Sequence, residues 1–154
     1  MRHGQNWPER LYLVRHGQSQ GNVARDAAHE AGLPVIDLDI RDVDVPLSDL
    51  GHRQAEAAGR WFAGLSEEEK PEVLIASPYI RAKQTAQAIC DAGGLAGGGP
   101  SGNKRPTILH ERLREREFGI FDGLTTVGIR DQFPKEAAHR AKMGKFYHRP
   151  PGGE

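Results

Sequence analysis

Short apolar runs alternate along the chain with longer stretches in which apolar residues recur at helical spacing. Residues 11–14 (Leu-Tyr-Leu-Val) and 73–76 (Val-Leu-Ile-Ala) are apolar, and each run leads into polar or turn-forming residues. Runs of this length and composition predict buried β-strands. Residues 107–110 form a third and weaker strand candidate.

Two helices are predicted between the first two runs. Residues 19–31 suit a helix that Gly32 and Pro34 would end. From Ser48, a good N-cap, apolar residues recur at three- and four-residue steps, which predicts an amphipathic helix that ends near Gly64. We expect this helix to cover one face of a sheet.

Two more helical segments follow the second run. Ser77 as N-cap and Pro78 at the first helical position predict a helix over residues 78–91. A polar, basic segment over residues 128–144 is helical in pattern and is broken at Pro134. The alternation of strands and helices predicts an α/β sandwich whose sheet is at least partly parallel.

Chain length and one glycine-rich stretch set the expected domain organisation. With 154 residues, 37% of them hydrophobic, the chain suits a single domain over residues 1–154. Six glycines lie between Gly93 and Gly102, together with one proline and one serine. This composition predicts a flexible loop over residues 93–105.

Charge and cysteine content indicate which binding partners and which cellular compartment to expect. Lysine plus arginine equals aspartate plus glutamate, at 21 each, so the whole chain offers no electrostatic attraction to nucleic acid or to an anionic membrane. No apolar run reaches the length of a membrane span, and the single Cys90 cannot form an internal disulfide. We therefore expect a cytoplasmic setting, with neither nucleic acid nor membrane as partner.

Four residues suit the chemistry of phosphoryl transfer. His16 lies where a predicted strand meets a predicted helix, and helix N-termini favour phosphate. A neutral imidazole there can attack phosphorus, and the planar cations of Arg15 and Arg81 can bind the phosphoryl oxygens. Glu115 can act as general acid if burial raises its pKa.

The chain resembles the histidine phosphatases, the phosphoglycerate-mutase-like superfamily (branch 1), through four segments in the family's order. These are residues 11–22, with the arginine–histidine–glycine signature; residues 46–51, with the proline–leucine pair; residues 77–86, with a second arginine; and residues 113–119, with the acidic residue. Together they cover nearly the whole chain. The resemblance implies a three-layer α/β/α sandwich of the phosphoglycerate-mutase-like type.

The resemblance also implies the roles of individual residues. His16 becomes the phosphoryl acceptor, Arg15 and Arg81 the phosphate clamp, Asn22 a further phosphate ligand and Glu115 the proton donor, with Gly17, Gln18 and Ser19 also on the substrate side. Glu117 is a weaker candidate for the donor by position. No metal and no organic cofactor are implied. The expected substrate is a small phosphorylated molecule, with a phosphoprotein as a second class.

The sequence departs from the family at its end. Family members carry a second histidine in a serine–histidine–glycine segment after a later strand, whereas only His139 and His148 follow Glu115 here, both in polar, basic surroundings. Residues 151–154 resemble the start of a family segment that precedes that histidine. We therefore expect a C-terminally truncated chain that lacks at least one strand and one helix.

Three functional hypotheses follow. The first is a phosphomonoester phosphatase that works through a phosphohistidine at His16, the second a phosphoglycerate-mutase-type phosphotransferase, and the third a non-catalytic remnant without the second histidine. For single residues, simpler interpretations stay open. Arg81 could be a solvated helix residue, Asn22 a helix-entry residue, and Glu115 part of an exposed run of alternating charges.

Overall fold

The computed structural model describes residues 7–95, 107–144 and 146–154. Five helices and two strands lie in these residues: α1 (Gln20–Glu30), α2 (Asp49–Ala63), β1 (Leu74–Ala76), α3 (Ile80–Gly93), β2 (Thr107–Leu109), α4 (Thr126–Gln132) and α5 (Pro134–Met143). β1 and β2 pair in parallel, with Leu74 opposite Thr107, and α3 connects the two in the chain. The predicted α/β class and the predicted parallel pairing are confirmed.

Helix caps explain where most helices begin. The Ser19 side chain accepts from the Asn22 amide at the start of α1, and the Ser48 side chain accepts from the Gly51 amide at the start of α2. Both predicted helices are confirmed. The predicted break at Pro134 is also confirmed, because this proline begins α5 directly after α4 has ended.

The predicted start of α3 is wrong by two residues. Ser77 was expected to be the N-cap and Pro78 the first helical residue, but the helix begins at Ile80 with Tyr79 as its N-cap. The reason is local, since the Ser77 hydroxyl accepts from the Tyr79 amide at 3.3 Å and stabilises a turn ahead of the helix.

The core lies where α2 packs on α3. Phe62 from α2 meets Ile89 and Cys90 from α3, with Leu95 buried beside them. Gly59 permits this approach, because a Cβ there would lie 2.8 Å from the Ile89 carbonyl oxygen. The amphipathic helix predicted from the sequence therefore packs mainly on another helix, and the expectation that it covers a face of the sheet is wrong in this respect.

Residues 11–14 do not form the predicted buried strand. They pair with no strand in the described part of the chain, and Leu13 is 88% exposed. This segment and β1 both line a cavity of about 570 Å³, and without a neighbouring strand at hydrogen-bonding distance an apolar run has no ladder to join. The burial predicted for residues 73–76 is also wrong in part, because Ile75 is 55% exposed.

Tyr12 nevertheless fixes the segment at one point. Its hydroxyl donates to the Glu69 carbonyl oxygen at 2.9 Å, and its ring packs edge-to-face on Trp61 and Phe62. This contact holds the chain just ahead of residues 15 and 16 against the end of α2.

Most of the loop predicted over residues 93–105 lies outside the described residues. Gly93 ends α3, Gly94 follows with a φ of +64°, and Leu95 is fully buried. Among the described residues, no helix has both the length and the apolar character that crossing a bilayer requires.

Candidate active site

The loop after His16 is anchored to α3 and α2 at Gly17. The Gly17 amide donates to the Thr85 hydroxyl at 3.2 Å, and that hydroxyl donates to the Arg81 carbonyl oxygen at 2.7 Å. A Cβ on Gly17 would lie only 2.3 Å from the Gly51 carbonyl oxygen. Glycine is therefore required for this close approach, which fixes the distance between the loop and α2.

Residues 46–48 hold the other side of the same loop. The Gln20 amide donates to the Pro46 carbonyl oxygen at 2.9 Å, and the Ser48 amide donates to the Gln18 carbonyl oxygen at 2.9 Å. The Gln18 amide in turn donates to the Gln54 side chain at 2.8 Å. The first two motif segments thus form one hydrogen-bonded unit.

The His16 ring has a defined proton position. Its Nδ1 lies 2.6 Å from the carbonyl oxygen of Gly17. Because a carbonyl oxygen can only accept, Nδ1 must carry the proton, and in the neutral ring Nε2 then keeps its lone pair. The loop therefore selects the tautomer whose far nitrogen is the nucleophilic one.

The Arg81 guanidinium is buried, at 5% exposure, and already has a partner. Nη1 donates to the Asp42 carbonyl oxygen at 2.6 Å and lies 3.0 Å from Asp42 Oδ1, while Nη2 lies 3.8 Å from Glu115 Oε2. The Tyr79 ring stacks 4.8 Å from the cation. Burial, followed by the charge of Asp42, raises the pKa of Tyr79. A buried cation is thus neutralised by carboxylates that an incoming anion would have to displace.

A cavity of about 510 Å³ brings six predicted site residues together. Its lining includes Arg15, His16, Ser19, Asn22, Arg81 and Glu115. Gly17 and Gln18, which we had expected on the substrate side, instead hold the loop through the backbone bonds described above. The sequence therefore predicted six residues of this lining, and the substrate-side role expected for Gly17 and Gln18 stays a prediction.

Basic residues that we had not predicted also line this cavity. They are Arg25 and His29 on α1, Arg41 beside the Asp42–Asp44 turn, and Arg140 on α5. Arg25 and His29 lie three and seven residues after Asn22, a spacing that places all three on one helix face and could have revealed the pair. Nothing in the sequence pattern indicated Asp42, whereas Arg140 belongs to the basic segment over residues 128–144, in which a solvated face was the commoner expectation and recognition of an anionic substrate the alternative.

Asn22 combines two roles. Its Oδ1 accepts from the Ser19 amide at 3.0 Å, which completes the capping box of α1. The helix-entry interpretation is therefore correct for the oxygen. The side-chain amide nitrogen is a donor on a residue that lines the cavity, and it suits an anion.

Glu115 lines the cavity, whereas Glu117 does not. Glu117 lies 3.8 Å from Arg114, which also pairs with Glu154, and the hydrogen bond from Arg114 lowers the pKa of Glu154. The Glu115 side chain is 49% exposed, less buried than we expected for a general acid, and its role as proton donor stays a prediction.

The fold and the cavity agree with a family assignment from the sequence. The histidine phosphatase superfamily (branch 1) matches residues 11–154, and the chain belongs to this family.

Among curated relatives, the fructose-2,6-bisphosphatase TIGAR B of Danio rerio is 34% identical over 94% of this chain and 46% of its own length. A 2,3-bisphosphoglycerate-dependent phosphoglycerate mutase of Mesorhizobium japonicum is 32% identical over 94% of this chain and 59% of its own length. The chain spans about half the length of the curated relatives it matches.

Solved structures support the same fold. A mycobacterial glucosyl-3-phosphoglycerate phosphatase in complex with VO3 superimposes with a TM-score of 0.61 at 26% identity, covering 90% of this chain and 53% of the other. A putative α-ribazole-5'-P phosphatase from Escherichia coli gives a TM-score of 0.63 at 19% identity, covering 92% of this chain and 56% of the other. This likeness supports the fold alone.

Proposed function

We propose that the site transfers a phosphoryl group to His16 and that the protein is a phosphomonoester phosphatase. The observation that carries this proposal is the His16 ring, whose Nδ1 proton is held by the Gly17 carbonyl oxygen while the ring lines a cavity with Arg15 and Arg81. A basic nitrogen and two permanent cations are the groups that phosphoryl transfer requires.

The reaction divides into two steps. In the first, the lone pair on His16 Nε2 forms a bond to phosphorus, the bond from phosphorus to the ester oxygen breaks, and Glu115 donates a proton to the leaving oxygen. In the second, water attacks phosphorus, Glu115 takes up the proton of that water, and the bond from phosphorus to Nε2 breaks to release inorganic phosphate.

The cations and Asn22 would bind the transferring group. Arg81 would exchange Asp42 for phosphoryl oxygens, and Arg15, which is exposed at the cavity edge, would approach from the other side. The amide nitrogen of Asn22 adds a neutral donor. Arg25 and Arg41 line the same cavity, paired with Asp26 and Asp44, and a second acidic group on the substrate could take the place of these exposed carboxylates.

Substrate size follows from the cavity. A volume of about 510 Å³ is in the range for small-molecule sites. Two relatives, a fructose-2,6-bisphosphatase and a glucosyl-3-phosphoglycerate phosphatase, support a sugar phosphate or glycerate phosphate as the substrate class. We also propose that residues 1–154 belong to one domain, and that the protein works in the cytoplasm, where the free thiol of Cys90 would persist.

The test is covalent labelling. Brief incubation with a 32P-labelled phosphomonoester followed by quenching should leave acid-labile, base-stable phosphate on the protein, and His16→Ala should remove it. His110→Ala, which changes an exposed histidine outside the cavity, should keep the label. Label that survives in His16→Ala, or that disappears in His29→Ala alone, would overturn the assignment of the nucleophile.

A mutase-type phosphotransferase is the second candidate, favoured by the 32% identity to the Mesorhizobium enzyme. In that case the phosphoryl group would pass from His16 to a second hydroxyl instead of to water. Following the 32P label distinguishes the two, because a phosphatase releases it as inorganic phosphate and a mutase returns it to an organic product.

A further inference from the structure

Three potential metal ligands meet at α5 and the segment that follows it. Glu136 and His139 lie three residues apart on α5, and His148 follows α5 in the chain. Their ligand atoms all lie within 4.8 Å of one another. We expected no metal from the sequence. Glu136 and His139 have helical spacing that could have been noticed, but only the fold brings His148 to them.

His148 supplies an independent sign of a missing ligand. The residue is 3% exposed, and its Nε2 has no hydrogen-bond partner among the described residues. This nitrogen lies 3.5 Å from Glu136 Oε2, beyond a good hydrogen bond. Buried polar atoms nearly always have a hydrogen-bond partner. His148 Nε2 has none and lies beside a second histidine and a carboxylate, so its position indicates a bound group.

The ring of His148 is also held in position. It stacks on Phe121, with centroids 5.7 Å apart and planes 10° from parallel, and it meets the His139 ring edge-to-face at 5.3 Å. The His148 amide donates to the Gly144 carbonyl oxygen at 3.0 Å. The buried ligand is therefore preorganised, whereas His139 is exposed and can adjust.

The donor set defines the kind of metal. Two imidazoles and one carboxylate suit zinc and its neighbours in the first transition row, whereas calcium and magnesium prefer oxygen ligands. With bonds of about 2.0–2.1 Å, tetrahedral zinc needs its ligand atoms about 3.3 Å apart. Rotation of the Glu136 and His139 side chains would bring the three ligand atoms from within 4.8 Å to this separation. The fourth coordination position of the metal would stay open.

We propose that Glu136, His139 and His148 form a zinc-class metal site that ties α5 to the segment after it. The site is separate from the phosphoryl chemistry, because neither step above uses any of the three residues. Its link to the active-site cavity is Phe121, which stacks on His148 and also lines that cavity.

The test measures metal binding and needs no activity. The 154-residue chain, stripped with a chelator, is titrated with Zn²⁺ against a chromogenic indicator, and Co²⁺ is added to a second sample for its absorption spectrum. We expect one equivalent of zinc and the intense visible bands of tetrahedral cobalt. His139→Ala and Glu136→Gln should each weaken zinc binding by at least about 100-fold, since losing even an outer partner of a ligand costs up to that much.

Control variants separate this site from other histidines. His110→Ala, at an exposed position elsewhere, and His16→Ala, in the active-site cavity, should bind zinc as the wild type does. Zinc binding that is lost in His16→Ala but kept in His139→Ala would overturn the proposal, as would a wild type that binds no more tightly than His139→Ala. His148→Ala changes a buried ring and could unfold the segment, so the two variants on α5 carry the conclusion.

Discussion

Residues 11–14 and residues 17–20 flank the same histidine but are held in very different ways. The loop after His16 makes backbone bonds to α3 and to residues 46–48, and Gly17 and Ser19 are buried. The segment before it has no strand partner among the described residues and exposes Leu13. The loop after His16 is therefore held by contacts within this chain, while the segment ahead of it is held through Tyr12, the one anchor that we identify among the described residues.

The difference lies in what each region needs from the rest of the chain. The loop after His16 is held by a close glycine contact and by helix caps, which single residues at fixed positions can supply. A sheet strand needs a neighbour along its whole length, because each backbone N–H and C=O requires a partner. Each of the following substitutions tests either the loop after His16 and its supports or the segment of residues 11–14.

Gly17→Ala should strongly destabilise the side of the site that the chain's own contacts hold. Its Cβ would lie 2.3 Å from the Gly51 carbonyl oxygen, so backbone must shift, and we expect a loss of about 3 kcal/mol or more in the free energy of unfolding. Urea denaturation measures it. The matched control is Gly64→Ala, where the nearest atom would be 3.5 Å away and the change should stay within about 0.5 kcal/mol. Equal effects in the two variants would contradict the tight contact.

Arg81→Lys tests the guanidinium group that α3 contributes to the cavity. An ammonium cannot reproduce the planar pair of donors, so the rate of His16 labelling should fall about 100-fold. Rapid-quench labelling measures the rate. Arg53→Lys, an exposed change on α2, is the control. An equal fall in the labelling rate of both variants would show that the guanidinium of Arg81 has no particular role in the reaction.

Asp42→Asn removes the charged partner of Arg81. The Asp42 side chain is half-exposed and screened, so its removal should strengthen binding of inorganic phosphate only about fivefold, equivalent to roughly 1 kcal/mol. Isothermal titration with phosphate measures the gain, with Asp91→Asn, an exposed change on α3 outside the cavity, as control. Weaker binding in Asp42→Asn would mean that this carboxylate positions Arg81 more than it competes for it.

Leu13→Ser should have the smallest effect. Because this side chain is exposed, its loss should change the free energy of unfolding by less than about 0.5 kcal/mol, whereas Phe62→Ala in the α2–α3 core should cost about 3–5 kcal/mol. Urea denaturation of both variants gives the ratio. A large loss in Leu13→Ser would show that the segment is packed in solution after all.

The features that could be predicted from sequence are those set by nearby residues. The caps at Ser19 and Ser48 and the break at Pro134 follow from chemistry within one helical turn, and the motif order led to the residues of one cavity. The contact of Asp42 with Arg81 and the approach of His148 to α5 depend on the arrangement of distant segments. The strand expected at residues 11–14 failed for the same reason, since an apolar run specifies strand character but supplies no neighbour.

The bond from His16 Nδ1 to the Gly17 carbonyl oxygen has a consequence for kinetics. Its acceptor is an uncharged peptide oxygen that cannot take the proton, so the proposed formation of phosphohistidine would move no proton at the nucleophile. Any solvent deuterium isotope effect on that step must then arise at the departing alcohol. Substrates with a very acidic alcohol, such as nitrophenyl phosphate, should show almost none.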